Sequence, residues 1–452
     1  MTLGLALFIH GIAVLVAVLY LRLRVERALS MLGLTLLILS LIHGIPVWIY
    51  LLVTGPDTVI FEAALEKVDR VAIMAQLPLA LALMFTSLLL GAEAARLLFG
   101  GLPRRPAGLS SRRLQVVRWR NHIRLDVPAK IFLWFVALAM LSVSIIENQI
   151  GKTWSYFASG ESEFGKILLR VEEGGTPFYL YNVLLSAVAP FLVMITICAA
   201  RNERNNAPSW LLAIALSVAV VMGKFGTLSK APPVLFLLQL LLLYILLRRK
   251  RLNVWTVFQM LVASILLFGA IVSATVPDLD VQAIASFLYY RTFDITNEVL
   301  LEYFAAIPHS IEHGYGAGIF SFLRGDTKGE YIPMMSAVAE LTRGNLISTS
   351  NPLFIGDAWA EFGWFGIFSF SGLAGFILYS YDRYAFRNGN TDEAACLVAA
   401  GTYGIVTLVA TALNTALVTG GLLIMPLVAH FLISSPLPAP RTVYRPAPLA
   451  HP

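Results

Sequence analysis

Long apolar blocks recur along this chain and constrain its fold more than any other feature. A helix needs about 20 apolar residues to cross a hydrocarbon core of roughly 30 Å. Hydrophobic residues make up 58% of the 452 residues and charged residues only 13%, whereas soluble domains contain about 25% charged residues. Because unpaired backbone groups are costly in lipid, blocks of this length are expected to be helical. The sequence therefore predicts an all-α polytopic membrane protein.

About eleven transmembrane helices are predicted. The first block has no basic residues before it and runs directly into Arg22, Arg24 and Arg27, which favours a spanning helix over a cleavable signal peptide. The predicted spans are approximately 3–21, 29–53, 71–91, 130–147, 179–200, 209–223, 232–247, 253–274, 358–381, 394–413 and 415–433.

The distribution of charge orients these helices. With the N-terminus outside, twice as many Lys and Arg residues lie inside as outside, and most Asp and Glu residues lie outside, as the positive-inside rule requires. The basic run Arg96–Lys130 is expected to bind anionic lipid. It has no accompanying aromatic platform, so no nucleic-acid partner is expected.

Four regions follow from this topology. They are an N-terminal bundle of about eight spans at 1–274 with an external segment at 148–178, a large external loop with short helices at 275–357, C-terminal transmembrane helices at 358–433 and a cytosolic Pro-rich tail at 434–452. Cys198 and Cys396 provide neither a disulfide framework nor metal-binding spacing. The sequence contains no Walker motif and no dinucleotide-binding glycine cradle, so nucleotide-driven chemistry is not expected.

The first candidate site is the segment 223–233, which reads GKFGTLSKAPP and joins two predicted spans on the external side. Lys224 and Lys230 stand on the side where short loops usually lack cations. Glycines allow the backbone to approach a ligand closely. Two ammonium groups at this depth would suit a lipid-linked phosphate or diphosphate. The alternative is a turn whose lysines extend to anionic headgroups.

A second candidate lies in the large external loop. In a regular helix, Arg291, Asp294 and Glu298 would fall on one face. A guanidinium binds phosphate oxygens in a bidentate fork, and either carboxylate could act as a general base toward a sugar hydroxyl. The alternative is a solvated helix with intrahelical ion pairs.

Further along this loop, His309 and His313 precede a glycine-rich stretch. A histidine near its ordinary pKa can transfer a proton, although a loop histidine can equally be a solvated side chain. The two are spaced as metal ligands on a helix could be, but Pro308, the glycines and the lack of a third ligand argue against zinc.

The third candidate is the segment Arg343–Pro352, which includes Asn351 and leads into Asp357 and Glu361. The two carboxylates are one helical turn apart at the expected outer mouth of the ninth span. Carboxylates at a membrane boundary are functional candidates by default. Capping of the helix N-terminus is the alternative for Asp357.

With these residues laid out, the chain resembles the O-antigen polymerase family, the oligosaccharide repeat-unit polymerases of the Wzy type. The resemblance rests on three segments and covers mainly the second half. They are GTLSKAPP at 226–233, the stretch from Tyr290-Arg291 to Tyr303-Phe304 with His313-Gly314, and NPLFIGDAWAEFGWFG at 351–366.

The resemblance implies a GT-C-like glycosyltransferase in the bacterial inner membrane with its active site facing the periplasm. It would join oligosaccharide repeat units carried on undecaprenyl pyrophosphate, with no cofactor and no metal, and its partners can include a chain-length regulator protein. Basic side chains would stabilise the leaving diphosphate, with Asn351 and Asp357 as further substrate contacts. The cationic candidates are Lys224, Lys230, Arg291 and Arg343, and the unranked candidates for the base are Glu298, Asp294, His313 and Glu361.

Two other functions remain open from the sequence. An O-antigen ligase would share the fold and the donor but use lipid A core as the acceptor. A polytopic transporter of polysaccharides or small solutes would need polar residues at mid-membrane depth, and His10, His43 and Asn414 are the residues that could lie deep.

Overall fold

The computed structural model describes residues 2–24, 30–54, 69–100, 123, 125–158, 178–203, 207–228, 231–249, 259, 262, 265–266, 269–270, 280–318, 334–344, 352–387 and 391–433. Within these ranges the chain forms helices and turns and no strand. This confirms the predicted all-helical class for the described residues.

Seventeen α-helices lie in the described ranges. The first half contains α1 (Leu3–Arg24), α2 (Met31–His43), α3 (Ile45–Ile49), α4 (Arg70–Phe99), α5 (Val127–Ile146), α6 (Gln149–Ala158), α7 (Tyr179–Val183), α8 (Ala189–Asn202), α9 (Ala207–Phe225) and α10 (Ala231–Arg249). The second half contains α11 (Val281–Tyr289), α12 (Ile295–Ala306), α13 (Met334–Arg343), α14 (Phe354–Ala385), α15 (Thr391–Ala410), α16 (Leu413–Leu417) and α17 (Ile424–Ile433). Short π-helical segments at Tyr50–Thr54, Leu184–Val188 and Tyr290–Asp294 continue α3, α7 and α11.

Nine helical runs in the described residues are long and apolar enough to cross a bilayer, which makes this a multi-pass membrane protein. They correspond to the first seven, the ninth and the tenth predicted spans. Most of the predicted span 253–274 lies outside the described residues. The predicted span 415–433 is wrong as a single helix, because a turn that includes Gly420 and Gly421 separates α16 from α17, which has only 10 residues.

The centre of the bundle is the close pair α4 and α14. A Cβ on Gly91 would lie 1.8 Å from the carbonyl oxygen of Gly372, and one on Gly375 would lie 1.9 Å from that of Leu88. Small residues are what allow helix backbones to approach this closely in a membrane protein. The Tyr379 hydroxyl also donates to the Gly100 carbonyl at 3.1 Å, so the two helices run parallel, as the predicted alternation of spans requires.

One end of the bundle, here called the Asp382 end, brings together the segments that the charge pattern places inside. The Asp382 carboxylate accepts hydrogen bonds from the backbone N–H groups of Met31 and Leu32, at 2.6 and 3.1 Å. Other contacts at this end are Lys130–Glu203 at 2.8 Å, Asn202–Asp392 at 3.0 Å and Arg387–Glu393 at 3.6 Å.

The opposite end, here called the Glu298 end, joins segments predicted to lie outside. His43, which lies within the second span, contacts Asn297 of α12, a residue of the predicted external loop. The turn after α9 packs against α6, since a Cβ on Gly226 would lie 2.5 Å from the Gln149 side chain. The described ion pairs and long-range hydrogen bonds therefore sort the connecting segments into the same two groups as the positive-inside rule.

Candidate functional site

A row of three buried carboxylates lies on α12 and the residue that precedes it. Asp294, Glu298 and Glu302 are spaced by four residues, so they project from one helical face. They are 4%, 2% and 0% exposed. The helix itself is enclosed by its neighbours: α12 packs against α4 and, on the side of Leu300, against Gly356 at the start of α14. Buried charged groups are rare unless they are paired, coordinated or functional.

Arg291 lies in the π-helical segment Tyr290–Asp294, and its position differs from the one expected for a regular helix. A π-helix closes its hydrogen bonds over five residues instead of four, so the register differs from that of a regular helix. Tyr290, not Arg291, reaches the row, and its hydroxyl donates to Glu298 Oε2 at 2.9 Å. Arg291 is exposed, with its guanidinium 5.4 Å from the centre of the Phe287 ring. The expectation of one face carrying Arg291, Asp294 and Glu298 is therefore wrong.

A tyrosine from the second span faces the same carboxylates. Tyr50 is 2% exposed, and its buried hydroxyl has no hydrogen-bond partner. The charges of Glu298, Asp294 and Glu302 all act on this hydroxyl. Burial, followed by the nearby charge of Glu298, raises the pKa of Asp294 above its usual range. Like-charged neighbours in a buried site favour protonation of at least one member.

Two buried histidines extend this polar region into the first two spans. The Asn297 side-chain amide donates to the Phe293 carbonyl at 2.7 Å, which turns its oxygen toward His43 Nδ1 at 2.9 Å. His43 Nδ1 therefore donates and Nε2 carries a lone pair. The Trp48 indole, which can only donate, lies 3.0 Å from His10 Nδ1, so His10 holds its proton on Nε2. Both Nε2 atoms are buried without partners.

Glu361 anchors a glycine-rich loop. Its Oε2 accepts from the Gly316 N–H at 2.6 Å and its Oε1 from the Gly318 N–H at 2.9 Å. Next to it, α14 breaks at Phe362 and Gly363, and Gly363 has φ +59°. Successive backbone N–H groups form a favourable site for an anion. Because both oxygens already accept hydrogen bonds, the geometry favours anchoring over proton abstraction as the role of Glu361.

The anchored loop carries His313 to the break in α14. The His313 ring lies 5.9 Å from the ring of Trp359 and 6.0 Å from that of Tyr315, and Nδ1 is 3.2 Å from the Ala360 carbonyl. Tyr315 is 75% exposed. Asp357, one turn before Glu361, is half-buried, whereas His309 is exposed. His313 is thus held in an aromatic setting that the sequence did not predict.

Lys224 occupies a separate buried position at the same end of the bundle. It lies in the last turn of α9, not in the loop that the sequence suggested, and is 1% exposed. Its ammonium is 5.1 Å from the centre of the Tyr403 ring. Among the residues that the structure describes, no carboxylate lies within ion-pair distance of it. The buried hydroxyl of Tyr181 and the buried side-chain oxygen of Gln149, near Gly223 and Gly226, also lack partners.

Some of the remaining candidates cannot be placed. Lys230 and Asn351 lie outside the described residues, and only the backbone of Arg343, the last residue of α13, is described. In the described part of the chain, no group of three His, Cys, Asp or Glu side chains is arranged to hold a metal ion.

The structure brings Asp294 and Glu298 together, and separately His313 and Glu361. No described contact joins Lys224 or Arg291 to either pair. Tyr50, Tyr290 and Glu302 are site residues that were not predicted from the sequence. Glu302 continues the four-residue spacing of the row and could have been found from it, whereas Tyr50 is more than 200 residues away and gave no local signal.

The chain matches no protein-family model, no curated protein and no solved structure. Any assignment of function therefore depends on the geometry and on the sequence resemblance.

Proposed function

We propose that the protein is a bacterial inner-membrane polysaccharide polymerase that joins undecaprenyl-pyrophosphate-linked oligosaccharide repeat units by glycosyl transfer at the periplasmic face. The observation that carries the proposal is the buried Lys224 ammonium, which contacts an aromatic ring and has no carboxylate partner among the described residues. A buried ammonium is costly unless an anion compensates it. A lipid diphosphate entering from the membrane would supply that anion.

The proposed reaction needs an anion site and a proton acceptor at one end of the bundle. In the reaction, a hydroxyl oxygen of the acceptor unit forms a bond to the anomeric carbon of the donor glycan. The bond from that carbon to the diphosphate oxygen breaks, and the lipid diphosphate leaves with both bonding electrons. The hydroxyl proton passes to a carboxylate of the row.

Lys224 would stabilise the charge that develops on the leaving diphosphate, since a fixed charge aimed at developing charge is usually the largest catalytic effect. Glu298 is the favoured base, because it is buried and its carboxylate is oriented by Tyr290. His313, in the anchored loop, is the other group positioned to exchange a proton. The resemblance also implies a GT-C-like fold, which we include in the proposal. It implies four further contacts to the substrate or its diphosphate: Lys230, Arg343, Asn351 and Asp357.

A proton-coupled polytopic transporter is the second candidate function. It is favoured by one observation: His10 and His43 are fully buried within the first two candidate spans, where His10 contacts Trp48 and His43 contacts Asn297. Ionisable groups inside a bundle are common in proton pathways of transporters.

The test is to incubate the purified protein with a defined undecaprenyl-pyrophosphate oligosaccharide, without added metal or nucleotide, and to follow chain growth. We expect longer lipid-linked glycans, loss of growth in Lys224→Met, and normal growth in Lys152→Met, a half-exposed lysine near Glu147 at the same end. Transfer only to added lipid A core would indicate a ligase. No transfer to either acceptor would reject glycosyl transfer.

A further inference from the structure

The only two cysteines of the chain meet in the interior of the bundle. Cys198 lies on α8 and Cys396 on α15, and 198 residues separate them in the sequence. Their Sγ atoms are 3.4 Å apart. Both thiols are free, and the two residues are 1% and 0% exposed. The spacing in the sequence gives no signal for such a pair, so it is the packing of the two helices that creates it.

A second contact fixes the register in which α8 and α15 pack. The Asn202 side-chain amide donates to the Asp392 carboxylate at 3.0 Å. Asn202 follows Cys198 by four residues and Asp392 precedes Cys396 by four, so the two contacts lie about one turn apart between antiparallel helices. Because both contacts obey the same register, the helix packing itself brings the thiols together.

Small side chains flank the pair on both helices. The segment 198–200 reads CAA and the segment 394–400 reads AACLVAA, and every alanine in them is buried. Small residues allow helix backbones in a membrane protein to approach closely, and a disulfide needs two Cα atoms within about 7 Å of each other. A disulfide holds its sulfurs roughly 2 Å apart. The Sγ atoms, now 3.4 Å apart, therefore need only a small approach to form a bond.

We infer that Cys198 and Cys396 are a redox-responsive pair that forms a reversible disulfide between α8 and α15. In this step both S–H bonds break, one S–S bond forms, and two protons and two electrons leave the protein. A small uncharged peroxide, such as hydrogen peroxide, accepts them and becomes two molecules of water. A dithiol reductant reverses the step by thiol–disulfide exchange, which returns both cysteines to thiols.

The position of the pair suits a reversible bond better than a permanent one. It lies one helical turn, about 6 Å, from the contact between Asn202 and Asp392 at the Asp382 end. The charge pattern places this end on the inner side of the membrane. Disulfides on that side are usually transient or redox-sensing, because cytosolic thiols are kept reduced. We therefore expect two thiols in the resting protein and the disulfide only under oxidative conditions.

The experiment counts free thiols in the full-length protein after treatment with hydrogen peroxide in lipid nanodiscs. The treated protein is unfolded in detergent and labelled with a maleimide-linked polymer, which adds one mass step for each free thiol. We expect two steps before oxidation, none after it and two again after reduction. Mass spectrometry of the oxidised protein should find one linked pair of peptides that contains both Cys198 and Cys396.

A pair of cysteines one turn away provides the matched control. In a variant whose native cysteines are replaced by serine, Asn202→Cys and Asp392→Cys place thiols at the ends of the same two helices. Linkage of this pair shows that the oxidant reaches the Asp382 end. Two free thiols in the peroxide-treated wild type would overturn the inference. So would thiols that the reductant does not restore, since these are sulfinic or sulfonic acids, and so would a link formed only between two chains.

The melting temperature provides a second test. A disulfide that fits the native packing should stabilise the protein, because it closes a loop of 198 residues in the unfolded chain. We expect oxidation to raise the melting temperature of the wild type by several degrees and to leave that of Cys198→Ser and Cys396→Ser unchanged. An oxidised wild type that melts no higher than the reduced protein would contradict the inference. These measurements use no substrate, so they can fail or succeed independently of the proposed glycosyl transfer.

Discussion

The carboxylate of Glu361 accepts a hydrogen bond from the backbone N–H of Gly316 at 2.6 Å, across 45 residues of sequence. A second bond, from Gly318, occupies the other oxygen. This one side chain therefore fixes the loop that carries His313 to the break in α14. From the sequence, Glu361 is a candidate for the base. In the structure it holds in place the loop that carries His313, another candidate.

Replacing Glu361 by Gln should release this loop. The amide would keep one acceptor oxygen and place an NH₂ group against a backbone donor, so we expect a loss of about 1–3 kcal/mol in the free energy of unfolding. Faster proteolysis within 307–318 should accompany it. Thermal unfolding and limited proteolysis are the measurements, with the exposed Glu340→Gln as the control. Equal stability of the two variants would show that the anchor contributes little.

Gly314→Ala tests the same anchor from the other side. A Cβ there would lie 2.7 Å from Glu361 Oε2, closer than packing allows, so the carboxylate or the loop must shift. We expect a lower melting temperature and the same proteolytic sensitivity as in Glu361→Gln. Gly4→Ala, where nothing lies within 4 Å, is the matched control and should be neutral or stabilising. A neutral Gly314→Ala would contradict this packing.

Asp382 should be a structural residue at the opposite end. It is 1% exposed and accepts from the first two N–H groups of α2. Asp382→Ala leaves those donors buried and unsatisfied, and we expect a loss of roughly 1–3 kcal/mol in stability. Arg383→Ala, one residue on, is the comparison and should have a smaller effect. Denaturation in detergent by urea or heat measures both.

The pH dependence of stability should reveal the environment of Asp294. Because the folded state raises its pKa above the usual 3.8, folded protein holds this proton more tightly than unfolded protein. The stabilising contribution is complete below pH 3.8 and is lost as pH rises through the folded-state pKa. Asp294→Asn, which cannot ionise, should therefore be more stable than the wild type at neutral pH, and this advantage should shrink on acidification. A variant that is less stable at every pH would contradict this sign.

Much of the fold follows from the sequence because hydropathy and charge are local signals. Nine of the predicted spans recur in the structure, and the ion pair Lys130–Glu203 joins segments that charge alone placed on the same side. The exceptions have local causes. The π segment at Tyr290–Asp294 changes the register of Arg291, and α14 breaks at Gly363, whose φ of +59° suits a glycine.

The candidate site was less predictable because its contacts are long-range. Asn297 meets His43 across 254 residues, and no periodicity within either helix encodes that meeting. Lys224 could be predicted as a candidate because it departs from the charge pattern, but its contact with the Tyr403 ring on a distant helix could not. The sequence predicts that His10 and His43 can lie deep in the membrane, because they are polar residues within apolar blocks. Their partners, Trp48 and Asn297, are known only from the packing of the helices.

Lys224→Met should separate stability from function. Removing a buried ammonium that has no carboxylate partner among the described residues should raise the free energy of unfolding by about 1 kcal/mol or more. Lys130→Met is the contrasting variant, because it breaks the ion pair with Glu203 and should not stabilise. Both are measured by thermal unfolding of the substrate-free protein. Destabilisation by Lys224→Met would mean that the ammonium serves the fold.

Binding of undecaprenyl diphosphate to the purified protein, followed as a thermal shift over a range of lipid concentrations, tests the central claim most directly. A ligand that binds only the folded state stabilises it by RT ln(1 + [L]/Kd), so the melting temperature rises with the ligand concentration. We predict a concentration-dependent increase for the wild type and for Lys152→Met and none for Lys224→Met. An equal increase in all three proteins, or no increase in the wild type, would contradict a diphosphate site at Lys224.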